Sequence, residues 1–222
     1  MVKDTIWVEG RRVTQGSLLY RDFRPPCDAL SVARMEAAGA TFIGMGNTPE
    51  FACKGRTDNI VYGFTGNPLD PALTPGGSSG GCAAAVGARL VPAALGTDGG
   101  GSGRRPAGHC GIVGFKPSFG AIPHFPGYPT MVPGVEVVAP LARDVADVRL
   151  LFEALAGTDP RDSETVPLLP ARLAARRARI AVSPRFGLDV PVEPYVLDAL
   201  DAVVAALARA GLALQRRGFA WP

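Results

Sequence analysis

Hydrophobic and polar positions along this chain follow two rhythms, and the changes between them divide it into elements. Short β-branched or aromatic runs at Thr5–Val8, Thr41–Met45, Val91–Leu95, Ile112–Phe115, Val135–Ala139, Arg179–Val182 and Leu212–Gln215 predict strands. Helical spacing predicts a helix over Ala29–Ala38, with Asp28 as its cap and Gly39 just past its end. Further helices are expected at Gly81–Arg89, behind Asp144 with Val145, Val148, Leu151, Phe152 and Leu155 on one face, and at Val192–Ala210. Asn47-Thr48-Pro49-Glu50 opens another short helix. Gly, Asn, Asp and Pro dominate 53–75 and 123–133, which read as loops, and 158–176 reads as a surface excursion. Strands alternating with helices predict an α/β fold with a mixed or largely parallel sheet flanked by helices on both faces.

Composition narrows the class. A chain of 222 residues, 47% hydrophobic and 19% charged, is globular. Its net charge of +3 and scattered arginines, clustered only between Arg172 and Arg179, do not make a nucleic-acid footprint, and no direct nucleic-acid partner is expected. Cys27, Cys53, Cys82 and Cys110 form no C-x-x-C pair, which excludes the common zinc and thioredoxin motifs and suits free thiols in a reducing compartment. No apolar run has the length of a membrane span, and the start has no signal core. A cytoplasmic protein without membrane partner, metal or cofactor is expected.

The chemistry concentrates between Thr74 and Lys116. Two glycine and serine runs, Gly76-Gly77-Ser78-Ser79-Gly80-Gly81 and Gly99-Gly100-Gly101-Ser102-Gly103, flank an apolar helix-and-strand segment. Glycine is entropically costly, so its clustering suits backbone that comes close to a ligand. A flexible linker would not be interrupted by an apolar segment or followed by Thr97-Asp98 and Arg104-Arg105-Pro106.

A serine needs a base to become a nucleophile. The two histidines are His109 and His124, and G-x-S-x-G occurs at Gly76 to Gly80, so a Ser78, Asp98, His109 triad of an esterase is one reading. The proline-rich run before Gly76 argues against it, because that motif needs a preceding strand. No Gly-Lys-Ser or Gly-Lys-Thr follows the glycines, and G-x-G-x-x-G is absent, so phosphate and dinucleotide cradles are excluded. The other bases are the three lysines, Lys3, Lys54 and Lys116, any of which burial could bring towards neutrality.

The glycine and serine runs continue into Gly96-Thr97-Asp98-x-Gly100-Gly101-Ser102-x-Arg104-x-Pro106-Ala107 and Cys110-Gly111-x-x-Gly114-x-Lys116-Pro117. With Val2-Lys3-Asp4, Gly44-x-x-Asn47-x-x-Glu50-Phe51 and Pro140-Leu141-Ala142-Arg143, this pattern resembles the amidase signature family of serine hydrolases. The resemblance covers most of residues 2–157 and implies a partial domain of that family over 1–222, with further α/β elements at 178–216. It implies Ser102 as nucleophile, Ser78 as bridging serine behind a cis Gly77–Ser78 peptide, and Lys3 as base. It also implies an oxyanion hole from the amides of Gly99, Gly100, Gly101 and Ser102, and a supporting loop with Gly77, Ser79, Asp98 and Arg104.

The implied reaction is hydrolysis of a carboxamide through an acyl-serine intermediate, releasing ammonia or an amine. A stand-alone amidase for a small-molecule amide is favoured. A protein like the glutaminase subunit of an amidotransferase, and a truncated, weakly active or non-catalytic fragment, are the alternatives. A homodimer or the missing remainder of the domain is the expected partner. Three positions depart from the family pattern, with Gly99, Gly103 and Arg105 standing where apolar residues or threonine are usual. Lys3 is the third residue, so a frayed, exposed amine with a pKa near 10 is expected.

Overall fold

The computed structural model describes residues 1–167 and 179–218. One compact unit covers Met1–Leu168 and a second Leu169–Pro222. In the first, the elements are β1 (Val2–Lys3), α1 (Leu30–Ala37), β2 (Met45–Gly46), β3 (Asp58–Asn59), β4 (Gly63–Phe64), α2 (Gly80–Gly87), β5 (Ala93–Asp98), α3 (Arg104–Cys110), β6 (Val113–Gly114), β7 (Val137–Ala142) and α4 (Val145–Leu155). The second holds β8 (Arg179–Val182), α5 (Pro194–Arg209) and β9 (Ala213–Arg216), with β8 and β9 parallel.

The main sheet is mixed, in the order β2-β1-β5-β7-β6. Strand β1 runs parallel to both β2 and β5, pairing Val2 with Met45 and Leu95, and β7 is antiparallel to β5 and β6. Side chains alternate across it as a pleated strand requires. Leu95 and Val138 point into a cluster with Val2, Val32 and Leu155, beneath α1 and α4. Ala94 and its cross-strand partner Leu141 point the other way, against Cys82, Val86 and Ala107 of α2 and α3. Helices therefore cover both faces.

Several boundaries differ from the sequence reading. The first strand is Val2–Lys3, not Thr5–Val8. Ile6 and Val8 are buried, but the Ile6 N–H turns back to the Lys3 carbonyl at 3.0 Å, so apolar burial there belongs to a turn. Likewise only Met45 of the expected Thr41–Met45 strand pairs, in a two-residue strand that ends at Gly46. Asp28 does not cap α1, because its Oδ1 accepts the Glu9 N–H at 2.6 Å. Asp144 does cap α4, accepting the Asp147 N–H at 2.8 Å. The loop over 53–75 contains the short pair β3 and β4.

Helix α3 has no counterpart in the sequence reading. Pro106 sits in its first turn, where a missing N–H leaves no intrahelical bond unmade. The helix ends on Gly111 in the left-handed region at φ 67°. Within the expected excursion, buried Asp159 and Asp162 tie residues 158–167 down, Asp162 accepting the His124 and Phe125 N–H groups at 3.0 and 3.2 Å. The rest of that segment, and the arginine cluster from Arg172, lie outside the described residues. All four cysteines are free thiols. No helix among the described residues is long and apolar enough to cross a membrane.

Candidate active site

Lys3 is fully buried, although it is the third residue of the chain. Strand pairing on both sides holds it there, reinforced by Leu95 N–H to Met1 O at 3.0 Å and the terminal amine to Ala93 O at 3.3 Å. The expectation of a frayed, exposed lysine is thus overturned: two flanking strands satisfy the backbone that would otherwise fray. Its Nζ donates to Ser78 Oγ and to Thr97 Oγ1, each at 2.7 Å. Burial lowers its pKa to about 8, against the opposing charges of Glu136, Cys82 and Asp98.

The loop that carries Ser78 is anchored residue by residue. Thr57 Oγ1 donates to Gly76 O at 2.7 Å, and Arg105 donates to Gly77 O. The Gly77–Ser78 peptide is cis, as the resemblance implied. Ser79 Oγ donates to Thr97 O at 3.1 Å and accepts the Thr97 N–H at 3.2 Å, while its own N–H reaches Ser102 O at 3.2 Å. This last bond sets the two glycine-rich runs side by side.

Asp98 organises the second run. Its buried carboxylate accepts the N–H groups of Gly101, Gly103 and Arg104 at 2.8, 3.1 and 3.1 Å. It also takes a two-pronged bond from Arg104 Nε and Nη2, both at 2.9 Å. Burial alone would raise its pKa, but the Arg104 and Gly101 donors overcome that and hold it at about 2. Gly101 N–H is therefore committed to Asp98. The N–H groups of Gly99, Gly100 and Ser102 have no intramolecular acceptor among the described residues. Ser102 is half-buried, and its hydroxyl makes no hydrogen bond among the described residues.

The alternative triad is not assembled. Ser78 Oγ is bonded to Lys3, both Asp98 oxygens are taken by Arg104 and loop amides, and no bond links His109 to either. Thr97, the second hydroxyl on Lys3, is a site residue that sequence reasoning missed. Its only signal is its place beside Asp98 in the motif. Thr97 also lines a cleft with Trp7, Gln15, Tyr128, Met131 and Glu136, whose empty space, open mouth included, is about 560 Å³. Trp7 and Tyr128 meet edge to face there, their centroids 5.8 Å apart.

Residues 1–217 match the family model described as Amidase. The chain is 39% identical to the A-type subunit of glutamyl-tRNA(Gln) amidotransferase from Thermus thermophilus, a match over all of this chain and 47% of that protein. The solved structure of the same-named subunit from Thermotoga maritima superposes with a TM-score of 0.85 at 32% identity, over 98% of this chain and 49% of that one. A 6-aminohexanoate cyclic dimer hydrolase complexed with substrate superposes with a TM-score of 0.88 at 30% identity, over 97% and 47%. The chain thus spans about half the length of the curated relatives it matches. With a lysine and a serine paired in its interior and a family match along nearly its whole length, the chain belongs to the amidase signature family.

Proposed function

We propose that this chain carries the serine machinery of a hydrolase acting on carbon–nitrogen bonds other than peptide bonds, with Ser102 as nucleophile, Ser78 as relay and Lys3 as base. The observation that carries the reading is the 2.7 Å bond between Lys3 Nζ and Ser78 Oγ in a fully buried setting. With a pKa of about 8, roughly a tenth of Lys3 is neutral at pH 7, against well under a thousandth for an ordinary lysine.

Neutral Lys3 takes a proton from Ser78 as Ser78 takes one from Ser102, and Ser102 Oγ attacks the amide carbon. The oxyanion then faces the N–H groups of Gly99, Gly100 and Ser102, where losing one donor typically costs roughly 3 to 4 kcal/mol of barrier. Gly101 serves that loop differently from what the resemblance implies, through its bond to Asp98. The Lys3 ammonium returns its proton through Ser78 to the leaving nitrogen, and water hydrolyses the acyl-serine.

Glutamine, with release of ammonia, is the favoured substrate class rather than the stand-alone amidase reading given above. The support is that curated relatives at 39 to 46% identity are named as amidotransferase subunits. A fluorophosphonate probe tests the serine chemistry. Labelling is expected in the parent chain and in His109→Ala, and is expected to vanish in Ser102→Ala. Equal labelling of Ser102→Ala would refute the nucleophile assignment.

A further inference from the structure

Arg105 follows directly on the Arg104 that holds Asp98, and its side chain has a definite task. Its Nε and Nη2 both donate to Gly77 O, at 3.1 and 2.9 Å. Its backbone N–H bonds to Gly101 O at 2.8 Å, which fixes it in the turn directly after Ser102. One residue therefore ties the start of α3 to the peptide immediately before Ser78.

The backbone of residues 54–56 lies close to both partners of this contact. A Cβ placed on Gly55 would lie 3.0 Å from the Arg105 guanidinium, and one on Gly77 would lie 2.8 Å from Lys54 O and 2.9 Å from Arg56 N. The guanidinium thus lies beside Gly55, and the backbone of residues 54–56 beside Gly77. A planar fork with several donors can hold one carbonyl from two nitrogens, whereas an ammonium offers a single point of charge.

We propose that Arg105 is a positioning residue, holding the Ser78 loop against the helix that follows Ser102 so that the two hydroxyls stay in register for proton transfer. The inference rests on the roles proposed above for Ser78 and Ser102. Small misplacements of a relay are costly in rate, so loss of the fork should slow the nucleophile while leaving Lys3 in its own surroundings.

The test is the rate of fluorophosphonate labelling across pH in the parent, Arg105→Ala and Arg105→Lys, with folding followed by near-ultraviolet circular dichroism. Arg105→Ala is expected to label roughly ten- to a hundredfold more slowly, with the pH midpoint unmoved. Arg105→Lys should fall between it and the parent. Guanidinium added to Arg105→Ala should restore part of the rate, which a general loss of packing would not allow. A folded Arg105→Ala that labels like the parent, or that is slowed without rescue, overturns the inference. Should Arg105→Ala fail to fold, Arg105→Lys decides: a slowed rate supports the role, and a parental rate overturns it. If the parent shows no Ser102-dependent labelling, the proposed function fails and takes this inference with it. Ser102-dependent labelling with unaffected Arg105 variants sinks the inference alone.

Discussion

A lysine kept out of water is uncomfortable as an ammonium, and Lys3 is fully buried. Its folded pKa of about 8 lies below the unfolded value near 10.4, so between those two values the unfolded chain binds the extra proton. Stability therefore rises with pH across that window, by an amount on the order of 3 kcal/mol from this group. Urea titrations across that window should show this rise in the parent and not in Lys3→Met, the difference cancelling other alkaline groups. A parallel pair of curves would mean that Lys3 is not desolvated. The identity of this residue is legible in Val2-Lys3-Asp4, but its burial is not. The burial comes from the strands on either side, which pair Val2 with Met45 and Leu95 and Lys3 with Gly46. Thr97 stands in the motif beside Asp98, but its contact with Lys3 is set by the pairing of β1 with β5 and not by the motif.

Among the elements, α2 and the loop after β5 set the two glycine-rich runs side by side. Helix α2 lies against β2 with almost no side chain between them. A Cβ on Gly81 would sit 2.2 Å from Asn47 N, and one on Gly46 would sit 2.4 Å from Cys82 Sγ. Gly81→Ala should therefore destabilise the first unit by about 1 to 3 kcal/mol, seen as a lower urea midpoint with an unchanged slope. An unchanged midpoint would show that α2 shifts freely.

Asp98 is the hub of the second run, and Asp98→Ala strands the guanidinium of Arg104 along with three backbone donors. A loss on the order of 3 to 5 kcal/mol is expected from breaking such a pair, with Arg104 half exposed favouring the lower end. Because its folded pKa is depressed, the contribution is complete above about pH 4 and disappears as pH falls towards about 2. Acid unfolding of the parent and of Asp98→Ala should accordingly converge at the low end.

The helical faces are the most readable elements. Asp144 and the Val148, Leu151, Leu155 spacing place α4, and Pro194 with Gly211 brackets α5. Two-residue strands are not readable, since β1 and β2 are defined by pairing and not by any run of their own. Strand β5 extends through Gly96-Thr97-Asp98, residues that resemble a loop until β7 pairs with them.

For the molecule as a whole, the glycine-rich runs and Val2-Lys3-Asp4 lie far apart in sequence, and the mixed sheet brings them together. Motif spacing identifies the participants, while the order β2-β1-β5-β7-β6, which sets Lys3 beside Thr97, is a property of the fold. Ammonia release should be faster from glutamine than from simple aliphatic carboxamides, measured by coupled glutamate dehydrogenase assay. The reverse order would favour a stand-alone amidase. The most direct measurement is the titration of Lys3 itself, by carbon-13 NMR of chain labelled at lysine Cε. Only three lysines are present, and Lys3→Met identifies the signal. A Lys3 midpoint near 8, with Ser102 labelling by fluorophosphonate rising along the same curve, is the expected result. A midpoint at the ordinary lysine value near 10.4, or a labelling rate indifferent to it, would contradict a serine relay that ends on an uncharged Lys3.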